Sequence, residues 1–197
     1  RGAGEDGTVE ARSLNERFEM HEEAVRAVTE YPLESKARCK DLKKEKKAKR
    51  KAIKQALKAE DDEQPRRPRV FVLDFDGDMQ ASQVEQLREE VSAILPVVRE
   101  TDKVLLRLES GGGVVHGYGL AASQLMRLKD AGITLTVSVD KVAASGGYMM
   151  ACVGDEIIAA PFAILGSIGV VAQLPNFHRL LKKNDIDFEM HTAGEYK

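Results

Sequence analysis

Two glycine-rich turns of the 197-residue sequence each follow an apolar run that predicts a β-strand. The first turn is Ser110 with three glycines after it, and the second is the Ala-Ser-Gly-Gly run that contains Ser145. Because glycine has no Cβ to clash, backbone amides in such turns can converge on one point. Converging amides stabilise an oxyanion or hold a phosphate. The first turn lacks the Gly-Lys-Ser/Thr of a P-loop, and Gly113, Gly117 and Gly119 lack the spacing of a dinucleotide-binding fingerprint.

Ser145 is the candidate nucleophile, because it stands just before a segment that predicts a helix. Its hydroxyl would lie beside the amide of Gly146 and the positive end of the helix dipole. An ordinary N-cap serine shows the same local pattern, so spacing alone leaves both interpretations open. A lysine can activate such a serine only if burial lowers its pKa towards neutrality. The sequence offers four candidate bases: His116, His178, His191 and Lys197.

The segments that must position these turns alternate between strand and helix after residue 68. Apolar patterns predict strands at residues 70–75, 104–108, 133–139, 157–160, 168–172 and 187–191. They predict helices at residues 84–98, 118–129, 148–153 and 176–183. Ser82 and Glu85 form a capping-box pattern at the first of these helices, and Gly132 is expected to end the second. This alternation predicts an α/β fold of layered β-α units with a largely parallel sheet.

Composition excludes several classes of protein. A hydrophobic content of 43% excludes a wholly disordered chain. With only Cys39 and Cys152, the chain is neither a disulfide scaffold nor a cysteine-rich zinc module. Residues 157–177 carry no formal charge and are long enough to cross a membrane. Proline and glycine interrupt that stretch, so we expect short, fully buried strands there instead of a membrane-spanning helix.

The first 64 residues differ in charge from the rest and predict a separate helical region. Residues 1–35 contain four arginines and nine acids, whereas residues 36–58 contain twelve basic residues and two acids. A capping-box pattern at Ser13 and Glu16 predicts a first helix that Pro32 ends, and residues 33–58 predict a second. Residues 60–65 are typical of a linker. The basic run suits a solvated helix or a helix near anionic lipid, and no nucleic-acid-binding fold follows it.

Four motifs of the sequence resemble those of the S49 (signal peptide peptidase A-like) protease family. Residues 142–151, VAASGGYMMA, resemble the segment around the nucleophile of that family. Residues 165–170 resemble its Gly-Ser-Ile-Gly segment, and residues 192–197 its Thr-x-Gly-x-Tyr/Phe-Lys segment. Residues 107–113 resemble its Ser-Pro-Gly-Gly loop. The sequence HGYGLAAS at residues 116–123, together with the basic helix that precedes the catalytic region, resembles the inner-membrane members of the family.

The resemblance implies a ClpP/crotonase-like catalytic domain with a Ser-Lys dyad and neither metal nor cofactor. Ser145 would be the nucleophile and Lys197 the general base. The oxyanion would be held by the amide of Gly113, or next of Gly112, together with that of Gly146. Ser167 would orient Lys197. The family usually has proline after the loop serine; this sequence has Gly111 there, which predicts a more flexible loop.

The resemblance also implies a membrane-associated serine endopeptidase of the bacterial inner membrane, with its catalytic domain on the periplasmic side. Its substrates would be peptides or unfolded proteins, and family members assemble into homo-oligomers, some of which complete the dyad across two protomers. We expect a membrane anchor before residue 1 and further helix and strand after Lys197. The 197-residue chain alone is accordingly expected to be inactive. The expected domains are a charged helical region at residues 1–64 and a catalytic domain at residues 65–197.

Two other functions stay open at this stage. A crotonase-like acyl-CoA enzyme would share the glycine amides but would need a site for the adenine nucleotide. In a non-catalytic membrane scaffold, the basic helix would be the functional element. Labelling of Ser145 by a fluorophosphonate separates an enzyme of the proposed kind from both.

Overall fold

The computed structural model describes residues 8–56 and 67–194 and has a mixed α/β architecture. The N-terminal helices are α1 (Leu14–Thr29) and α2 (Pro32–Ala56). The strands among the described residues are β1 (Val70–Gly77), β2 (Lys103–Ser110), β3 (Thr134–Val139), β4 (Val142–Ala144), β5 (Glu156–Ala159) and β6 (Ile164–Gly166). The remaining helices are α3 (Val84–Ile94), α4 (Val115–Asp130), α5 (Gly146–Ala151) and α6 (His178–Lys183).

All paired strands of the sheet run parallel, and β2 is its centre. Along one edge β2 pairs with β1 from Val70 opposite Lys103 to Gly77 opposite Ser110. Along the other edge it pairs first with β3 and then, at Ser110, with Ala143 of β4. Strands β5 and β6 continue outward from β3 and β4 in the same way. The break between β3 and β4 curls the sheet, so that the C-terminal ends of β2 and β4 meet.

One face of the sheet carries the hydrophobic core. Side chains of β2 alternate, so that Val104, Leu106 and Leu108 are buried while Lys103 and Arg107 face outward. Helix α3 packs on β1, α4 on β3 and α5 on β2, each through an apolar stripe. These elements and their order agree with the ClpP/crotonase-like layered fold that the resemblance implied.

Most predicted elements between residues 70 and 153 are confirmed. The strands predicted at 70–75, 104–108 and 133–139 are β1, β2 and β3, and the helices at 118–129 and 148–153 are α4 and α5. Gly132 ends α4 as expected, because its φ of 74° is left-handed and its amide donates to the carbonyl of Lys129. Ser13 also caps α1 as predicted, since its hydroxyl accepts the amide of Glu16.

The capping box predicted at Ser82 and Glu85 is wrong. Helix α3 begins after Gln83, which makes no side-chain capping bond. The Ser82 hydroxyl instead donates to the Asp78 carboxylate, which also accepts the Ser82 amide at 2.8 Å. Because Asp78 takes both Ser82 donors, Ser82 stays in the turn before α3 and its amide is not left for the Glu85 carboxylate, as a capping box requires. The same bonds hold the pKa of Asp78 below its usual value.

The predictions after residue 155 are only partly right. The strand at 157–160 exists as β5, but it is exposed, and the next strand is β6 at Ile164–Gly166 instead of residues 168–172. Residues 167–177 and 186–193 form no regular structure, so the strand predicted at 187–191 is wrong. Ile168 is 86% exposed and Phe188 86% exposed. The apolar run indicated burial, but a hydrophobic sequence does not specify which surface covers it.

The N-terminal helices form as predicted, although α2 begins at Pro32 itself. Proline suits the first position of a helix, where its missing N–H is not needed. Ion pairs of Arg38 with Glu30 and of Lys46 with Glu19 join α1 to α2. Among the residues that the structure describes, no helix is both long and apolar enough to span a membrane. The predicted linker at 60–65, the boundary at residues 64 and 65 and the predicted helix end at residue 58 lie outside the described residues.

Candidate active site

Ser145 occupies a strained turn between β4 and α5. Its backbone has φ 51° and ψ −116°, a left-handed conformation that costs a non-glycine residue roughly 1–3 kcal/mol. Its side chain makes no capping hydrogen bond with α5. Such a strand-to-helix turn projects the side chain away from both elements, as the nucleophile turn of α/β hydrolases does. The ordinary N-cap interpretation therefore lacks the hydrogen bond on which it depends.

Neighbouring strands hold this turn in place. The amide of Ser145 donates to the carbonyl of Gly166 at 2.8 Å, and its carbonyl accepts the amide of Met149 at 3.0 Å. Ala144 of β4 pairs with Gly166 of β6, so Ser145 and Ser167 follow directly opposed residues. Ser167 is exposed and also has a positive φ, of 56°. The two serines therefore leave neighbouring strands at the same end of the sheet.

The glycine loop after β2 lies against the Ser145 turn. Gly112 has φ 84°, and an ideal Cβ at this residue would lie 2.7 Å from Ser145 Cβ and 2.7 Å from the Gly146 nitrogen. No side chain fits in that space. Position 112 thus requires glycine for its positive φ and for the lack of space around its Cα. The two glycine-rich turns of the sequence are in direct contact here.

The amides of the two turns differ in whether they already have acceptors. The Gly112 amide donates to the Ser110 hydroxyl at 3.0 Å. Gly146 is the first residue of α5, so its amide has no acceptor within the helix. In the part of the chain that the structure describes, the Gly113 amide has no hydrogen-bond partner either. Of the three glycines predicted for the oxyanion hole, Gly113 and Gly146 are therefore the two whose amides remain for an external acceptor.

Ser110 and Tyr118 form a buried pair beneath the loop, and sequence reasoning did not single out either side chain. Their hydroxyl oxygens lie 2.6 Å apart, and the Tyr118 hydroxyl donates to the carbonyl of Asp78 at 2.7 Å. The Tyr118 ring fills the place that a Cβ on Gly146 would need. Burial raises the pKa of Tyr118, so the phenol keeps its proton. The signal was present in the sequence: a serine before three glycines, and a tyrosine on the inward face of the next helix.

The remaining predicted site residues are not brought to Ser145 by any described contact. His116, His178 and His191 are exposed, and the structure describes no hydrogen bond between any of them and Ser145. The imidazole of His191 lies 3.5 Å from the carboxylate of Glu189. Lys197 lies outside the described residues.

Two family models match the chain. The model of the peptidase family S49 N-terminal region covers residues 1–125, and that of peptidase family S49 covers residues 127–197. The chain belongs to peptidase family S49. The resemblance drawn from the four motifs is thereby confirmed.

Relatives of this S49 chain carry protease names. The probable protease SohB of Haemophilus influenzae is 57% identical over 195 residues, which are 97% of this chain and 54% of that protein. The probable protease SohB of Buchnera aphidicola from Schlechtendalia chinensis is 68% identical over 66% of this chain and 43% of that protein. Protease 4 of Haemophilus influenzae is 36% identical over 41% of this chain and 13% of that protein. The chain thus spans about half, or less, of the length of these curated relatives.

Proposed function

We propose that this chain carries the catalytic core of a serine endopeptidase with Ser145 as its nucleophile. The observation that carries the proposal is the strained Ser145 turn packed against Gly112, with unpartnered amides on the residues that follow each, Gly146 and Gly113. A hydroxyl next to two such amides is the arrangement that acyl transfer requires. Membership of family S49 and the protease names of the relatives support the same chemistry.

In the proposed reaction the Ser145 hydroxyl attacks the carbonyl carbon of a peptide bond while a base takes its proton. The carbonyl oxygen becomes an oxyanion, which accepts hydrogen bonds from the Gly113 and Gly146 amides. The C–N bond then breaks, and the protonated base gives its proton to the leaving amine. Water next attacks the acyl-serine ester, with the same base taking a proton from it, and Ser145 regains its hydroxyl.

Lys197 is the proposed base. Its support is the Thr-x-Gly-x-Tyr/Phe-Lys segment at residues 192–197, together with the exposure of the three candidate histidines, none of which makes a described hydrogen bond with Ser145. A lysine amine titrates near pH 10.4 in water, so Lys197 must be desolvated to work as a base near neutral pH. We assign Ser167 the task of orienting that amine, because it follows Gly166 directly opposite the Ser145 turn.

We also propose that the active protein works at the bacterial inner membrane, with the catalytic domain on the periplasmic side, as a homo-oligomer that cleaves peptides or unfolded proteins. Helix α2 supports membrane proximity, since its exposed lysines suit an anionic lipid surface. The exposed apolar side chains of residues 162–190 support contact with a further protein surface.

Active-site labelling of the intact protein tests this proposal. A fluorophosphonate or a lipopeptide aldehyde should modify Ser145 in the wild type and leave Ser145→Ala unlabelled. Ser123→Ala is the matched control, because its hydroxyl is bonded to the Gly119 carbonyl on the exposed side of α4. Equal labelling of the Ser145→Ala variant would refute the assignment of the nucleophile. Absence of labelling together with binding of acyl-CoA thioesters would favour the crotonase-like alternative.

A further inference from the structure

Four groups beneath the glycine loop form a chain of hydrogen bonds, here called the relay, in which each group donates to the next. They are the Gly112 amide, the Ser110 and Tyr118 hydroxyls and the Asp78 carbonyl. The phenol of Tyr118 has a single proton, and it donates that proton to the Asp78 carbonyl at 2.7 Å. The 2.6 Å contact between the Tyr118 and Ser110 hydroxyls therefore needs the Ser110 proton, for which the Gly77 carbonyl at 3.3 Å is the longer and weaker acceptor. The Ser110 oxygen in turn accepts the Gly112 amide at 3.0 Å. The relay runs from the Gly112 amide through Ser110 and Tyr118 to Asp78, and each bond polarises the next.

The relay lies in a closely packed and dry part of the molecule. Tyr118 is fully buried and Ser110 is 2% exposed. A Cβ on Gly77 would lie 2.5 Å from the Tyr118 oxygen, and one on Gly147 would lie 2.9 Å from Ser110 Cβ. Both hydroxyls are buried, and without the Tyr118 hydroxyl the Ser110 hydroxyl keeps only its longer, 3.3 Å contact with the Gly77 carbonyl.

Two hydrogen-bonded connections attach the glycine loop to the segment after β1, and the relay from Gly112 to Asp78 is the first of them. Beyond Gly112, the amide of Val114 donates to the carbonyl of Met79 at 2.9 Å, one residue from Asp78. The loop is thus fastened on both sides of Gly113 to the segment that follows β1. Gly111, which precedes it, is free on its Cβ side and offers no restriction of its own.

We infer that Tyr118 is a positioning residue, which acts through Ser110 to hold the glycine loop so that the Gly113 amide serves the oxyanion. The relay supplies a restriction of the loop that Gly111 itself does not supply. This inference rests on the proposed peptidase function. It assigns to a tyrosine on α4, remote from the reacting atoms, part of the preorganisation of the site.

The test compares Tyr118→Phe with Tyr31→Phe, whose phenol is exposed and remote from the loop. Tyr118→Phe keeps the ring packing and removes only the hydroxyl. We expect kcat to fall roughly tenfold to hundredfold, less than the loss of a whole oxyanion donor, with KM changed less than about twofold. A purely structural defect would not separate kcat from KM in this way. Ser110→Ala, with Ser123→Ala as its control, breaks the same relay in the middle and applies if Tyr118→Phe does not fold.

The decisive experiment introduces Gly111→Pro into the Tyr118→Phe variant and asks whether activity returns. Gly111→Pro is the substitution that would restrict the loop, because an ideal Cβ at Gly111 meets nothing within 4 Å, its φ is not left-handed and Ser110 before it is extended. Gly111→Pro should restore most of the lost kcat in the Tyr118→Phe background and change the wild type little. An unchanged kcat in Tyr118→Phe, or a loss that Gly111→Pro does not recover, would overturn the inference.

Hydrogen exchange of the Gly112 amide separates failure of this inference from failure of the proposed function. The amide should be protected in the wild type, exposed in Tyr118→Phe and protected again in the double variant. If the wild type shows no Ser145-dependent turnover, the proposed function fails, and this exchange pattern still decides whether the relay holds the loop. Equal exchange in wild type and Tyr118→Phe would contradict the relay.

Discussion

Gly112 of the glycine loop lies so close to Gly146 of α5 that an ideal Cβ on Gly112 would sit 2.7 Å from the Gly146 nitrogen. The contact joins residues from opposite sides of the candidate site without any side chain. Its consequence is that the distance between the two amide-bearing turns is set by backbone packing, which is stiffer than a contact between side chains.

Gly112→Ala should therefore disable the site and destabilise the fold. The new methyl group would overlap the Ser145 turn at a left-handed φ of 84°, which we expect to cost roughly 2–4 kcal/mol. Gly119→Ala is the matched control, because a Cβ there meets nothing within 4 Å and alanine favours helix. Urea unfolding and turnover measure both effects. Wild-type stability in Gly112→Ala would contradict the packing described.

Replacing Ser145 should abolish activity and reveal the strain of its turn. Ser145→Ala keeps a Cβ at φ 51°, whereas Ser145→Gly relieves it. We expect both variants to be inactive. The free energy of unfolding of Ser145→Gly should exceed that of Ser145→Ala by about 1 kcal/mol, because the relief of strain outweighs the greater chain entropy of glycine. Turnover of Ser145→Ala within tenfold of the wild type would rule out this serine as nucleophile.

Lys197→Arg should inactivate the intact protein, since a guanidinium stays protonated at working pH and cannot accept the Ser145 proton. The wild-type rate should rise with pH through the pKa of a desolvated amine and not through that of an imidazole. The pH–rate profile and the activity of the variant are the measurements. An active Lys197→Arg enzyme would transfer the role of base to His116 or His191.

The Asp102 carboxylate should stabilise the fold above acidic pH. Asp102 is buried and accepts hydrogen bonds from the guanidinium and amide of Arg69 and the amide of Arg99. Led by the Arg69 guanidinium and opposed by burial, these bonds lower the pKa of Asp102 from 3.8 to about 2. Because the folded pKa is lowered, the stabilisation is complete above the unfolded value and is lost as pH falls from about 4 to about 2.

Asp102→Asn tests this window. At pH 7 the variant should unfold at lower urea than the wild type, and the difference should shrink as the pH falls below 4. The exposed Glu156→Gln gives the control for a single lost surface charge. A difference between wild type and Asp102→Asn that stays constant from pH 7 to pH 3 would exclude titration of Asp102 as its cause.

Helix α2 should bind anionic vesicles in a salt-dependent manner. Exposed charges are screened within about 8 Å at physiological ionic strength, so binding to phosphatidylserine vesicles should weaken steeply as salt rises. Replacing Lys43, Lys44 and Lys47 by glutamine should weaken it further, and pure phosphatidylcholine vesicles should not bind. Binding that ignores salt, or that survives the triple replacement, would argue against an electrostatic membrane contact.

The sequence predicted the part of the fold in which periodicity and turn residues agree. Strands β1 to β3 have alternating or continuous apolar residues between clear turn signals, and Gly132 marks the end of α4. Residues 168–172 and 187–191 gave the opposite result, since the strands predicted there do not form, whereas the helix predicted at 176–183 is present as α6. Apolar character predicts that a side chain will be buried, but it does not predict which surface will bury it.

The candidate site was predictable in outline only. The spacing of Ser145 and the glycine loop indicated two turns that follow strands, and the curl of the sheet then brings them together. Which loop amide is free depends on Ser110, whose hydroxyl takes the Gly112 amide. That choice follows from a tertiary contact with Tyr118, which no local pattern encodes.

The bond from the Ser145 amide to the Gly166 carbonyl has a consequence for biosynthesis. The ribosome makes residue 166 about 21 residues after Ser145, roughly one to four seconds later at ordinary rates of translation. Until β6 has emerged and paired, nothing on that side holds the left-handed backbone of Ser145 in place. The nascent chain consequently acquires the backbone geometry of the proposed nucleophile late, only after β6 has been synthesised.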